Sequence, residues 1–534
     1  MFARDFATPS VELVSTRDAT TAIVTSDASS ALAVNGLSAD GRFVLFTSQA
    51  DDLVTNDTNQ SPDVFLRDLT SGTTTLVSVN PAGAAAAGIS HDATMSPDGR
   101  FVAFLSTASE LSPSVTKLAQ NAFLRDVQSG TTTLVSSDLT GTAAVAVDLT
   151  IPLAVSADGR WVSFGSRATN VVAGQVLGTS FVELYLRDLQ TQTTLPVTAT
   201  LTPSLPSYLR AYKPLAIVPG RFLWLAGTNL YNFDLATRTN QFIGSSTAFP
   251  AVTPDGLTVA RQIHLNAVNR VLVDHLDTGV TEVVLTNTGA VWMTGVNAAL
   301  SLSADGRYLA FLDNSGQLSV GDNNATNDVF VADLSQPGRF TLVSMNLLGA
   351  VGNGPSDSPV LSADGRFVAF RSWATDLVPN PVSPGPNLFV RDLAQGITWL
   401  VNEDPATLDS TPGLVATPLI SANGAVVAFT SFASDLVPGD FNRLGDVLVF
   451  NVPAGTLPVL RIGLRPASPG HGPIVTWNAT PGWTPVVQAK DNLNDPVWRN
   501  LPGTPQDDGQ GGLLLEDTTG GGDQTRFYRV LVQP

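Results

Sequence analysis

The sequence contains no cysteine and, among 534 residues, only 3 lysines, 6 glutamates and 4 histidines. Without cysteine there is no disulfide, no thiolate nucleophile and no thiolate metal site. The scarcity of Glu and Lys removes the residues that usually fill helix surfaces. No apolar run approaches the ~18 residues needed to span a bilayer, which argues against membrane insertion. The opening Met1-Phe2-Ala3-Arg4-Asp5 lacks a basic segment followed by an apolar one, so no signal peptide is visible.

What is abundant points the other way. The acids are nearly all aspartate (40) and the bases nearly all arginine (25), accompanied by 45 Gly and 35 Pro. Asp, Gly and Pro are turn residues, so the composition describes an all-β chain with many turns. The net charge of −18 repels phosphate backbones and anionic lipid heads, which excludes nucleic acid from the expected partners.

One phrase recurs along the chain: Leu37-Ser-Ala-Asp-Gly-Arg-Phe-Val-Leu-Phe46, then 95–104, 155–164, 302–311, 361–370 and, weakened, 420–429. Degenerate copies lie at Ile217–Phe222 and Thr253–Leu257. Measured at the Ser position the repeats begin near 38, 96, 156, 217, 253, 303, 362 and 421. Each is followed by a second phrase such as Val64-Phe-Leu-Arg-Asp-Leu69 and a Thr-Ser-Gly turn. A repeat therefore reads as four short strands joined by a tight Asp-Gly turn, a long loop and a second tight turn. Four antiparallel strands at this period are the signature of a β-propeller blade. The expected fold is a propeller of about eight blades over 1–455, with a small β-sandwich over 458–534. Residues 1–15 match the third and fourth strands of a blade without its first half. They either close the ring by completing the last blade or mark the chain as a piece of a longer one.

The Ser-x-Asp-Gly-Arg and Phe-x-x-Asp phrases resemble the TolB-type, WD-repeat-like propellers of bacterial envelope and secreted proteins. The resemblance covers roughly residues 1–455 and implies an extracytoplasmic setting, whether secreted, cell-surface or periplasmic, with the signal peptide missing from this chain. The last 77 residues look like a fibronectin- or immunoglobulin-like module, with Trp477, Trp498 and Tyr528 as core aromatics. Some TolB-type propellers are sugar-acid lyases that use clustered channel histidines. Here only His91, among His91, His264, His275 and His471, is expected near the channel mouth.

Strand order places the a–b and c–d turns of every blade on one face, and the long b–c and d–a loops on the other. Long loops on a rigid scaffold are where sites live. On the short-turn face, six Arg–Asp pairs are expected across the b–c hairpin: Arg42/Asp68, Arg100/Asp126, Arg160/Asp188, Arg221/Asp234, Arg307/Asp333 and Arg366/Asp392. On the long-loop face an Asp-x-Asn-x-x-x-Asp motif occurs as Asp57, Asn59, Asp63, as Asp322, Asn324, Asp328 and as Asp440, Asn442, Asp446. Alternating oxygen-bearing side chains suit a structural Ca²⁺. The same residues also suit turn-capping of loop amides. No Gly-x-Ser-x-Gly, His-Glu-x-x-His or phosphate-binding loop is present. The expectation is a non-catalytic extracytoplasmic scaffold that binds a protein or glycan through its long-loop face. The alternative is a polysaccharide lyase or hydrolase with its site at the channel mouth.

Overall fold

The computed structural model describes residues 10–17, 26–115, 119–141, 143–173, 182–201, 211–266, 268–288, 300–318, 326–379, 382–404, 410, 417–437, 444–453, 462–465, 473–478, 484–491, 499–507, 512–519 and 526–533. The described residues from 10 to 452 belong to one compact unit, and those from 453 onward to a second.

The larger unit is a ring of eight four-stranded antiparallel sheets, the blades of a propeller. Blade 1 shows the pattern: strand a at Ser30–Leu37, b at Phe43–Ser48, c at Asp63–Asp68 and d at Thr73–Leu76. Blades 2 to 8 begin at Ser90, Ala154, Tyr212, Ala251, Ser301, Ser356 and Leu419. The sequence supplies only three strands of blade 8 at its own end of the chain. The fourth, Ser10–Leu13, comes from the start and pairs with Asp446–Asn451. Residues 10–13 thereby complete blade 8.

The b and c strands are buried on both faces, because each blade packs between two others. Their phrases meet in register, so Phe46 faces Phe65 and the two rings stack at 5.5 Å. The same stack recurs as Phe104–Phe123, Phe164–Tyr185, Phe311–Phe330 and Phe370–Phe389. Each fully buried ring contributes about 1.5–3 kcal/mol of apolar burial. The core clusters straddle blade boundaries: Leu45 and Leu66 of blade 1, for instance, pack with Phe104 and Phe123 of blade 2.

The recurring decapeptide is explained atom by atom. Ser38 Oγ donates to Asp40 Oδ1 at 2.6 Å and accepts from the Phe43 amide at 2.8 Å. Asp40 Oδ1 in turn accepts from the Arg42 amide at 3.0 Å. The glycine takes positive φ and abuts the preceding blade: a Cβ on Gly159 would lie 2.4 Å from the Phe101 ring. In four of the turns the Ala after the Ser links blades through the main chain. Ala304 N donates to Ala363 O, Ala363 N to Ala422 O, Ala422 N to Ala39 O and Ala39 N to Pro97 O, at 2.7–2.8 Å. Pro97 has no N–H, and the relay ends there.

Five of the six expected Arg–Asp pairs form, at 2.6–2.9 Å: Arg42–Asp68, Arg100–Asp126, Arg160–Asp188, Arg307–Asp333 and Arg366–Asp392. Each guanidinium also lies over the aromatic ring that follows it, 4.7 Å away for Phe43. The sixth expectation is corrected. Arg221 stands opposite Asp234 in register, but Asp234 accepts from the amide and hydroxyl of Thr237. Blade 4 has Ile217 and Pro219 where the five paired blades have Ser and Asp, so no carboxylate anchors the Arg221 amide.

The smaller unit contains two sheets, one ordered Ile462–Arg465, Ile474–Asn478, Gly512–Glu516, Gln506–Asp507, the other Arg499–Asn500, Thr484–Lys490, Phe527–Gln533. Val475 and Leu515 of the first share a core with Val487 and Ala489 of the second, the arrangement of a sandwich. Tyr528 packs against that core and donates its hydroxyl to Asp517 at 2.9 Å. The side chains of Trp477 and Trp498 lie outside the described residues.

Candidate functional site

The two faces of the propeller differ in chemistry as well as loop length. On the short-turn face the carboxylates are committed. Hydrogen bonding from Arg42 holds Asp68 down at about 2, and the Arg100 and Arg307 guanidinia hold Asp126 and Asp333 lower still. The Asp-Gly turns expose no large apolar side chain among the described residues.

The long-loop face is different. Twelve large apolar residues are exposed among the described residues, and eight of them lie on this face: Ile89, Leu139, Leu149, Leu265, Leu347, Leu348, Trp373 and Phe432. Phe242, Val280 and Val283 belong to outer strands of blades 4 and 5, and Val34 to the innermost strand of blade 1. Leu348, 92% exposed, tips a turn whose amides are capped by Asn346 Oδ1. Trp373 and Phe432 follow strand b of blades 7 and 8 at the same repeat position. Beneath Trp373 a buried bidentate pair, Arg371 to Asp357 at 2.8 Å, places its guanidinium 5.8 Å from the ring centroid.

The face is not continuous, which corrects the expectation of long b–c loops throughout. Blades 4 and 5 replace them with tight hairpins, Ala226 to Asn229 and Leu265 to Val268. The short repeat spacings of 36 and 50 residues are the trace of this in the sequence.

At the channel mouth the innermost strands of blades 1, 2 and 7 are bulged, and Asn35, Asp92 and Ser358 take left-handed φ of 49–52° there. Such strain clusters at functional sites. Beside Asp92, His91 Nδ1 lies 2.9 Å from Asp92 Oδ2, and its Nε2 lies 2.7 Å from Gln120 Nε2. His264 sits on strand b of blade 5 against Asn269, and His275 ends strand c beside Glu282. No histidine cluster forms among the described residues.

The motif aspartates separate into two roles. Asp63, Asp328 and Asp446 each begin a strand c, fully buried, and each accepts a hydroxyl from the end of strand d: Ser78 at 2.5 Å, Ser344 at 2.7 Å and Ser15 at 2.8 Å. Glu183 with Thr198 and Asn387 with Asn402 repeat the arrangement in blades 3 and 7. The second oxygen of Asp63 accepts from Asn59 Nδ2 at 2.7 Å, and burial pushes the Asp63 carboxyl up to about 7. Asp57 is different: it is buried, neither of its oxygens has a hydrogen-bond partner, and burial raises it to about 6. Asp322, Asn324, Asp440 and Asn442 lie outside the described residues. Among the described residues, no three His, Asp or Glu side chains converge on a point where a metal would sit, and no helix is long and apolar enough to cross a membrane.

No protein-family profile and no curated protein matches the chain. Solved structures do. An oligogalacturonate lyase from Vibrio parahaemolyticus is 14% identical, with a TM-score of 0.42 over 84% of this chain and 97% of its own. Porphyromonas gingivalis dipeptidyl peptidase 4 is 14% identical, with a TM-score of 0.42 over 74% and 56%. TolB from Acinetobacter baumannii is 16% identical, with a TM-score of 0.30 over 63% and 77%. At such identities the likeness concerns the fold alone. The expectation that the chain is not an enzyme is corrected here. A lyase and a peptidase stand among the structures it resembles.

Proposed function

We propose that the protein is an extracytoplasmic recognition propeller whose ligand, a protein or glycan of neutral or cationic character, docks on the long-loop face. The observation that carries this reading is the segregation of exposed large apolar side chains, eight of twelve, to that face. Exposed apolar groups on a rigid scaffold are the usual anchors of recognition, and aromatic ones suit both peptide side chains and sugar rings. The net charge of −18 disfavours anionic ligands. The extracytoplasmic setting rests on the resemblance of the repeats.

One observation favours a second reading, turnover of a polysaccharide at the channel mouth. His91 is held by Asp92 and Gln120 on an innermost strand, next to a strained backbone position. An imidazole so held is suited to acid–base work.

The experiment is a binding screen of the full chain against neutral, cationic and anionic glycans and peptides, with chromatographic analysis of every bound glycan for cleavage. Binding lost in Trp373→Ala and Leu348→Ser supports the recognition reading. Cleavage products lost in His91→Gln support the second. Binding that survives both long-loop substitutions counts against the first.

A further inference from the structure

The b–c loop of blade 1, with the segment that precedes its strand a, holds a concentration of carboxylates that the hydrogen bonds of the fold do not absorb. Asp52 is paired with Arg17, and Asp63 spends both oxygens on Ser78 and Asn59. Asn59 is committed as well, its amide nitrogen bonded to Asp63 and the Ala86 carbonyl and its oxygen to the Ser61 amide. Three residues remain. Asp27 and Asp51 set their carboxyl groups against one another, and both bear electrostatically on Asp57. Asp57 is only 4% exposed, and both its oxygens lack a hydrogen-bond partner. The Asn59 backbone amide is its one stabilising neighbour, without closing a full bond.

A buried carboxylate whose one neighbouring donor closes no full bond, with two like charges beside it, is costly unless something neutralises it. A proton or a cation can do so. The burial that raises Asp57 leaves it mostly ionised at neutral pH, since its value is about 6, so a proton is the weaker answer there. We infer that Asp57, with Asp51 supplying the second carboxylate, binds a Ca²⁺ ion that pins the long loop of blade 1.

The site is not the Asp57, Asn59, Asp63 set that the motif spacing suggests. Asp63 and Asn59 are already engaged by hydrogen bonds within the protein. With two carboxylates, the rest of the shell comes from main-chain carbonyls and water, an oxygen set that suits the adaptable coordination of Ca²⁺ better than the strict octahedron of Mg²⁺. The neighbouring backbone is anchored for this purpose: Asn56 Nδ2 donates to Gly83 O at 2.7 Å and Ala85 N to Asn56 O at 3.0 Å. The loop bearing Asp57 is thereby tied to the d–a loop of its own blade.

The test is equilibrium dialysis of radioactive calcium at pH 7 against the EDTA-treated full chain, with folding followed by circular dichroism. Asp57→Asn is expected to bind one ion fewer per chain than the wild type, while Ser71→Ala on the opposite face binds the full number. If Asp57→Asn does not fold, Asp51→Asn is read instead and is expected to lower affinity for that one ion at least tenfold. A wild type that binds no calcium overturns the proposal. So does a folded Asp57→Asn that keeps the full number, or, where that variant does not fold, an Asp51→Asn with unchanged affinity.

Discussion

Ser15 Oγ donates a 2.8 Å hydrogen bond to Asp446 Oδ1 across 431 residues of chain, and accepts one from the Val447 amide at 3.1 Å. This is the blade 8 form of the contact that Ser78 makes with Asp63 and Ser344 with Asp328. In those blades it joins neighbours in sequence; here it locks the ring.

Ser15→Ala leaves the buried Asp446 without that donor and should cost about 1–3 kcal/mol of stability. Urea unfolding reads the loss directly. Because Ser15 and Val14 also carry main-chain bonds to Val447 O, the substitution weakens closure without removing the strand. An unchanged midpoint would show that the hydroxyl contributes nothing to closure.

The Asp-Gly turns offer a comparison of two glycines. Gly159→Ala meets both a φ of +67° and the Phe101 ring, whereas Gly220→Ala meets only a φ of +77°, with no atom within 4 Å. The second should cost about 1–2 kcal/mol for the left-handed backbone alone. The first should cost a further 1–3 kcal/mol, roughly, for overpacking the joint between blades. Equal losses in calorimetry would contradict the account of how adjacent blades fit.

The Arg–Asp pairs set an acid limit. Asp68 lies at about 2 in the folded chain against 3.8 as the ordinary value, held down chiefly by Arg42. A carboxyl lowered on folding contributes stability that is present above 3.8 and lost as pH falls through about 2. Asp126 and Asp333 act in the same direction. Thermal melts across that window should therefore fall less steeply for Arg42→Gln than for the wild type. Parallel curves would mean that the pair does not perturb Asp68.

The fold was legible because every residue of the repeated phrase does something mechanical in its blade. Ser38, Asp40 and Gly41 shape the turn, Arg42 pairs with Asp68, and Phe43 and Phe46 pack. Where blade 4 substitutes Ile217 and Pro219, the phrase blurred and the expected Arg221–Asp234 pair did not form. The site was less legible. Motif spacing drew Asp57, Asn59 and Asp63 together as equivalents, although only the structure shows that Ser78, distant in sequence, claims Asp63. Trp373 and Phe432 gave no signal in spacing at all; comparing the residue after strand b in every repeat, where blade 1 has Gln49 and blade 2 Thr107, would have found them.

The central claim is that the long-loop face is the working face. It is tested most directly by measuring binding of a ligand from the screen to three chains: wild type, the long-loop variant Leu348→Ser/Trp373→Ala/Phe432→Ala, and Ser71→Lys on the short-turn face. The account predicts at least a tenfold loss for the triple variant and wild-type affinity for Ser71→Lys. Affinity kept by the triple variant and lost by Ser71→Lys would contradict it and place recognition on the opposite face.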